Sequence, residues 1–378
     1  MPDEPVIVAA RRTPIGTRGR ALAALRVEEL AAPVIRAVYE DGRAVSGESF
    51  EVADVSLGNC MGPGGNPARI AALAAGLGTS TTGETVDRQC GSGLASVINA
   101  APAIRAGDRR ARIAGGVESA STAPDRIADG VRYERAAFTP RGWPDPDMPE
   151  AAERLAQADG IGRARQDAHA ARSHRRAQDA RAEGRFAAEL VPIGTADDDA
   201  IGGAAPLLPR LPPLFAGGSI TAGTSTRISD GAAAALIVPR SLAPRAPGLL
   251  VRGHAVVGCD PSLPGIGAAP AVQQALGSAG LDRGPGLAGV AAFEIVEAFA
   301  AQSLAVLDRL GLDDADPRVC ADGGALALGH PWGASGAVAV VRLFSRLVRQ
   351  GAPAGSIGVA AASIGGGMGI ALVLEVVR

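Results

Sequence analysis

The sequence predicts an α/β protein of stacked helix and sheet layers, and three observations carry that expectation. Short apolar runs at residues 6–10, 52–58 and 111–116 alternate with segments of helical period. Hydrophobic residues make up 47% of the chain but aromatic residues only 3%, so Ala, Val, Leu and Ile must fill the core, while 51 glycines suggest backbones that approach closely. A Gly-small-Gly turn opening an Ala/Val helix also occurs twice, at Cys90-Gly91-Ser92-Gly93-Leu94-Ala95-Ser96-Val97 and at Gly333-Ala334-Ser335-Gly336-Ala337-Val338-Ala339-Val340, as two similar halves would require.

In chain order, residues 6–10 read as a buried strand, followed by a polar loop over 11–20 and an amphipathic helix through Leu25, Leu30 and Ile35. Residues 52–58 form a second strand, and a turn-rich loop then leads to Pro67, which is placed to open a helix over 68–75. An extended run over 84–87 stops at Arg88-Gln89-Cys90, after which Leu94, Val97, Ile98 and Ala101 keep helical spacing. With the strand at 111–116 the succession is β-α-β-α-β-α-β, which predicts a largely parallel sheet covered by helices. From about 119 to 218 the chain is charged and punctuated by proline, with helical patches over 150–159 and 166–183. The second patch, dense in Arg, Asp and His, reads as a solvated face with His169 and His174 on the surface, and the whole region as an inserted lid. Regular α/β texture resumes at 230–238 and runs to the end.

A net charge of −2, with no basic stripe interleaved with aromatics, argues against a nucleic-acid binder. Every basic residue apart from the four histidines is arginine, which removes Schiff-base and Walker-type lysine chemistry. The cysteines, Cys60, Cys90, Cys259 and Cys320, lie far apart without metal-ligand spacing, so neither a zinc site nor a disulfide framework is expected and a reduced cytoplasm is the natural compartment. The apolar run over 6–10 is too short for a signal peptide, no run is long enough to span a membrane, and the last residues are not an address motif.

Two residues stand in contexts that suggest chemistry. Cys90 falls between a strand and a helix, where free N–H groups and the helix dipole favour a thiolate and are expected to lower the thiol pKa. The plainer alternative is a small buried residue at a helix start. Of the histidines, only His330 is set among glycines, in Gly323-Gly324-Ala325-Leu326-Ala327-Leu328-Gly329-His330-Pro331-Trp332-Gly333, where the backbone can approach a ligand and proline fixes the turn.

Five blocks then resemble, in order and from end to end, the motifs of the thiolase family: residues 86–94, Gly115-Gly116-Val117-Glu118-Ser119, Glu297-Ala298-Phe299-Ala300-Ala301-Gln302, residues 323–336, and Ile364-Gly365-Gly366-Gly367-Met368-Gly369. The resemblance implies two βαβαβαββ halves in stacked helix and sheet layers with an inserted loop domain. This divides the chain into an N-terminal half of 1–118 with 219–247, a lid of 119–218 and a C-terminal half of 248–378. It implies a ping-pong acyl transfer from a coenzyme A or carrier-bound thioester, with coenzyme A as substrate and no resident cofactor or metal. Cys90 would be acylated, His330 would activate it, and the backbone N–H groups of Cys90 and Gly365 would form an oxyanion hole. Thr226 would lie beside the pantetheine arm, and Met148 and Phe299 would join the substrate contacts. A homodimer is expected, without nucleic-acid or membrane partners.

The departures fall on one half of that reaction. Ser363 stands where the family has its second catalytic cysteine, and a hydroxyl is a poor base for an α-proton. Val296 replaces the asparagine whose bound water helps to hold an enolate oxygen. Losing a positioned acid/base or an oxyanion donor costs roughly 10²–10⁴-fold or 10²–10³-fold. The segment between Glu118 and Met148 is shorter than usual, which disfavours a tetramer, and Arg227 stands where the family has glycine. Three readings follow: an acyltransferase with an altered Claisen step, an ordinary acetyl-CoA acetyltransferase, and a catalytically weak partner in a multi-enzyme complex.

Overall fold

In the computed structural model, which describes residues 3–47, 49–202, 206–281 and 286–378, the strands and helices follow the expected alternation. Residues 1–2, 48, 203–205 and 282–285, which fall within the divisions expected above, lie outside the described residues. The first part of the chain comprises β1 (Pro5–Arg12), β2 (Gly16–Thr17), α1 (Val27–Ser46), β3 (Val52–Gly58), α2 (Pro67–Ala74), β4 (Thr82–Val86), α3 (Ser92–Arg105) and β5 (Ala111–Glu118). A hairpin, β6 (Arg126–Ala128) and β7 (Val131–Tyr133), and the helices α4 (Met148–Ala158) and α5 (Arg163–Ala182) follow. The chain then continues through β8 (Ser229–Pro239), β9 (Gly248–Gly258), α6 (Ala268–Ser278), β10 (Val290–Ile295), α7 (Ala300–Leu310), the short α8 (Ala325–Leu328), α9 (Trp332–Leu343), β11 (Ile357–Ile364) and β12 (Met368–Val377).

The strands join in the order β10-β11-β12-β9-β1-β8-β5-β3-β4, with β2 beside β8, so the two halves meet where Val6 and Ile7 of β1 pair with Leu250 and Leu249 of β9. Three apolar cores divide the layers. One packs α1 and α2 against β1, β3, β5 and β8; another packs α6 and α7 against the β9–β12 strands; the central one places α3 and α9 between the two halves of the sheet. Small side chains make that middle layer thin. A methyl group added at Gly93 of α3 would stand 2.7 Å from the Ala337 nitrogen of α9, and one at Gly336 would stand 2.6 Å from the Leu94 nitrogen. The repeated Gly-small-Gly turn therefore marks the place where two helices cross backbone against backbone.

Two sequence expectations are corrected. The sheet is mixed rather than largely parallel: β3 runs parallel to β4 and β5, and β10 to β11, but β1–β8, β5–β8, β1–β9, β9–β12 and β11–β12 are antiparallel. Parallel neighbours need a crossover, whereas β11 turns straight into β12 through Gly365-Gly366-Gly367, of which the last two have φ near +80° (81° and 79°). Helix α5 is likewise not a solvated face. His169 and His174 are buried, because the helix lies against α7 and α8. Among the described residues no helix is long and apolar enough to cross a membrane.

The segment between α5 and β8 is tied to β1 and α9 by buried charge. The Arg12 guanidinium of β1 donates to Glu189 and to Asp198, and Arg342 of α9 donates to Glu189 and Asp322. Both guanidinium groups lie over the Phe186 ring, 5.3 and 4.8 Å from its centre. Burial by itself would raise the Glu189 carboxyl, but Arg342 and Arg12 outweigh it and hold it below the ordinary value. Its contribution to stability is therefore present above the ordinary carboxylate pKa and lost as the pH falls below it. Glu189→Ala leaves two buried cations without this partner and is expected to lower the unfolding free energy by about 3–5 kcal/mol in urea denaturation. Removing the exposed Glu150–Arg154 pair by Glu150→Ala should change it by less than about 1 kcal/mol; similar small losses in both variants would show the buried network to be unimportant.

Candidate active site

The turn that carries Cys90 is held by hydrogen bonds among its own residues. The Arg88 N–H donates to Ser92 Oγ at 2.7 Å, the Ser92 hydroxyl donates to the Gln89 carbonyl at 2.6 Å, and the Asp87 carboxylate accepts the Gln89 N–H at 3.0 Å. Gln89 is forced to φ +42°, a region that costs a non-glycine residue about 1–3 kcal/mol. Strand β4 can thus end and α3 begin within a few residues, with Cys90 between them.

His330 reaches the same point from the other half. It lies between Gly329, at φ +104°, and Pro331, which precedes α9, and its N–H donates to the Arg227 carbonyl at 2.9 Å. Its Nε2 stands 3.3 Å from Cys90 Sγ, and its Nδ1 stands 2.6 Å from Ser335 Oγ. The Ser335 hydroxyl donates its one proton to the Pro331 carbonyl at 3.0 Å, so it accepts from Nδ1–H. That fixes the neutral tautomer with a free lone pair on Nε2, facing the thiol.

The helix N-terminus does not lower the thiol pKa as expected from the sequence. Cys90 precedes Gly91, the residue that caps α3, and its sulfur lies enclosed although the residue keeps some exposure. Burial pushes the thiol up to about 12 against the hydrogen bond of its own N–H, and Glu118 and Asp87 add to the rise. Burial also pushes His330 down to about 4. These directions favour a neutral thiol beside a neutral imidazole at rest.

Glu118, at the end of β5, underpins the dyad. Its buried carboxylate accepts Asn59 Nδ2–H at 2.9 Å, the N–H groups of Cys60 and Met61 at 3.1 and 3.0 Å, and the Gly333 N–H in the first turn of α9 at 2.9 Å. Burial pushes this carboxyl up to about 7 in opposition to those donors. In the sequence Glu118 stands out only as part of the motif over 115–119, and its position at the end of a buried strand is the signal available there.

The other expected residues surround this pair at different removes. Thr226 donates its hydroxyl to the Ala325 carbonyl at 2.6 Å and its N–H to the Ala298 carbonyl at 3.0 Å, joining the segment before His330 to the one that holds Val296 and Phe299. Val296 is buried and borders a cavity of about 30 Å³ shared with Gly329 and Ser335. Phe299 precedes α7, against which the helix opened by Met148 packs. Ser363 is engaged at both ends of its hydroxyl, donating to the Gly265 carbonyl at 2.6 Å and accepting the Ala268 N–H at 3.0 Å. Gly365 follows β11, and the ring of Phe138 covers it. Glu297 accepts from His169 Nε2 at 3.1 Å and Ser173 Oγ at 2.7 Å; burial would raise its carboxyl, but His169 and Ser173 hold it low. Ser335 and Phe138 were not singled out in the sequence, Ser335 despite its place one helical turn beyond Pro331, and His169, expected on the surface, is buried. Among the described residues no group of three or more His, Cys, Asp or Glu is arranged to hold a metal ion.

A neutral resting thiol has a measurable consequence. The rate of iodoacetamide alkylation at Cys90, followed on its peptide by mass spectrometry, should rise about tenfold per pH unit from pH 6 to 9. A plateau beginning below pH 8 would instead reveal a preformed thiolate–imidazolium pair.

Comparison with known proteins matches residues 5–241 to the family model described as thiolase, N-terminal domain, and residues 246–376 to thiolase, C-terminal domain. The chain is 39% identical over 401 residues to an acetyl-CoA acetyltransferase of Chromobacterium violaceum, covering 98% of this chain and 99% of the relative. It is 39% identical over 402 residues to the acetyl-CoA acetyltransferase of Escherichia coli, covering 98% of each. The crystal structure of the Bacillus anthracis acetyl-CoA acetyltransferase superposes with a TM-score of 0.87 at 36% identity, covering 99% of both chains.

Proposed function

This chain belongs to the thiolase family, and on that premise we propose that it is an acyltransferase that takes an acyl group from a coenzyme A or carrier-bound thioester onto Cys90 and passes it to an acceptor, with an altered Claisen step. The observation that carries this reading is the 3.3 Å approach of a tautomer-fixed His330 Nε2 to Cys90 Sγ. As sulfur attacks the thioester carbonyl, the S–H proton moves to Nε2, the S–C bond forms, and the carbonyl electrons pass to oxygen. Collapse breaks the bond to the donor sulfur, which leaves with the proton from Nε2 as a free thiol. The backbone N–H groups of Cys90 and Gly365 are assigned to the oxyanion, as the family resemblance suggests. In the second half-reaction an acceptor gives its proton to His330, attacks the acyl carbon and releases the Cys90 sulfur.

Two features support an altered second step. The Ser363 hydroxyl gives its proton to the Gly265 carbonyl and accepts the Ala268 N–H, so it serves the turn before α6, and a hydroxyl is a weaker base for an α-proton than the thiolate it replaces. Val296 offers hydrocarbon where an enolate-stabilising water would need an amide. The reading places Thr226, Phe299 and Met148 along the substrate, the lid at 119–218, the halves at 1–118 with 219–247 and at 248–378, and the protein in the cytoplasm with no resident cofactor. A homodimer is part of it: β4 ends the sheet, its residues half-buried or exposed, and leads directly into the Cys90 turn. A monomer in light scattering would refute that element.

A second reading, ordinary acetyl-CoA acetyltransferase chemistry, is favoured by the names of the relatives. One set of measurements separates the two. Incubation with acetyl-CoA is expected to add one acetyl mass, on Cys90, and Cys90→Ala to abolish it. His330→Ala should slow acylation by roughly 10²–10⁴-fold. Thiolysis of a 3-ketoacyl-CoA should be weak in the parent and rise in Ser363→Cys with Val296→Asn by more than in either single variant. A parent that performs thiolysis at 1–10³ per second, the range of ordinary enzymes, would establish the second reading, and a label on Cys60, Cys259 or Cys320 would overturn the first.

A further inference from the structure

Of the apolar side chains on the hairpin and loop over 126–147, Ile127, Val131 and Trp143 are more than 60% exposed (66%, 68% and 63%), whereas Phe138 is turned inward. Its ring lies on the glycines that follow β11: a methyl group added at Gly365 would come within 2.5 Å of the ring, and one at Gly366 within 3.1 Å of the Phe138 carbonyl oxygen. The loop is built to hold that ring. The Arg135 guanidinium stacks over it, 4.6 Å from its centre, and pairs with Asp145 at 2.9 Å and Asp147 at 3.3 Å. Both carboxylate oxygens of Asp145 also face the Phe138 N–H, at 3.4 Å. At the other end of the loop, Arg126 donates to the Cys60 carbonyl at 2.7 Å, and Cys60 Sγ in turn contacts the Gln89 carbonyl at 3.2 Å, next to Cys90. Gly91, after Cys90, abuts Ile364, the residue before Gly365.

We infer that Phe138 is a specificity-determining residue that closes the acyl pocket beside Gly365 and confines the group carried by Cys90 to a short chain such as acetyl. The inference rests on the acyl-Cys90 reading: an acyl carbonyl bound by the Gly365 N–H places the first carbons of its chain next to the Gly365 backbone, where the ring stands. A chain longer than two or three carbons meets the ring. Replacing the ring by a methyl group opens room for methylenes, each of which gains about fourfold on burial in apolar surroundings.

The test measures acylation of Cys90 by acetyl-, butyryl- and hexanoyl-CoA in the full-length protein, with peptide mass spectrometry to place the label. The hexanoyl-to-acetyl rate ratio should rise at least tenfold in Phe138→Ala and by a smaller factor in Phe138→Leu, which keeps apolar contact with the glycines. Trp143→Ala, on the same loop but exposed, should leave the ratio within twofold of the parent. If both Phe138 variants keep the parent ratio, or slow all three donors alike, Phe138 does not set chain length and this inference falls while the acyl-Cys90 reading stands. A parent that takes no acyl group from any donor overturns both.

Discussion

The constraint on which the site depends is the contact of α3 with α9. Cys90 stands just before one helix and His330 just before the other, so the depth at which the helices cross sets the distance between sulfur and imidazole. Gly93 admits the backbone of α9 at Ala337 and Gly336 that of α3 at Leu94, and Gly58 and Gly116 leave room on β3 and β5 for the Gly333 carbonyl, with added methyl groups 2.5 and 2.0 Å from it. One extra carbon at any of these positions must push the helices apart. A hydrogen-bonded contact of 3.3 Å has little tolerance for such a shift. The same small-residue packing explains how a chain with so few aromatic residues still packs its layers closely.

Glu118 adds charge to that crossing. A carboxylate that gathers four N–H donors from the loop after β3 and from the first turn of α9 locks the two halves at the point where they share the dyad. It also places negative charge near Cys90, which opposes the thiolate. Holding the halves together and favouring an ionised thiol thus make opposite demands on one carboxylate, and the structure meets the first. The role proposed for His330 meets the second, since its Nδ1 is committed to Ser335 and its Nε2 faces the thiol.

Much of this was legible in the sequence, and the failures share a cause. The strand-turn-helix unit at Cys90, Pro67 at the start of α2, the glycine setting of His330 and the repeated turn are local patterns, and the structure contains them all. What depends on a distant partner was not legible. His169 sits in a run of charged residues, yet it is buried against Glu297, 128 positions away. The antiparallel placement of β8 depends on where the chain re-enters the sheet after the inserted segment. The Cys90 pKa follows from enclosure, which a helix-terminus argument cannot weigh against the dipole. Ser363 was read only as a lost thiol, because its bonds reach back 98 and 95 residues to Gly265 and Ala268.

The bonds of Ser363 also bear on how the two halves of a ping-pong reaction can diverge. The acylation half needs a nucleophile, a base and an oxyanion site, and here the dyad is fixed by contacts that also hold the fold together: the α3–α9 crossing, Glu118 and the Ser335 hydroxyl. Gly93 and Gly336 at that crossing have no room for a larger side chain. The position of Ser363 lies at the end of β11, where a side chain with one donor and one acceptor can be given over to the turn before α6, and Val296 faces a cavity that hydrocarbon can line. On the proposed reading, second-step chemistry would rest on residues that packing can absorb, and first-step chemistry on residues embedded in the contact between the two halves. The proposed change of acceptor would then fall on Ser363 and Val296 and leave Cys90 and His330 in place.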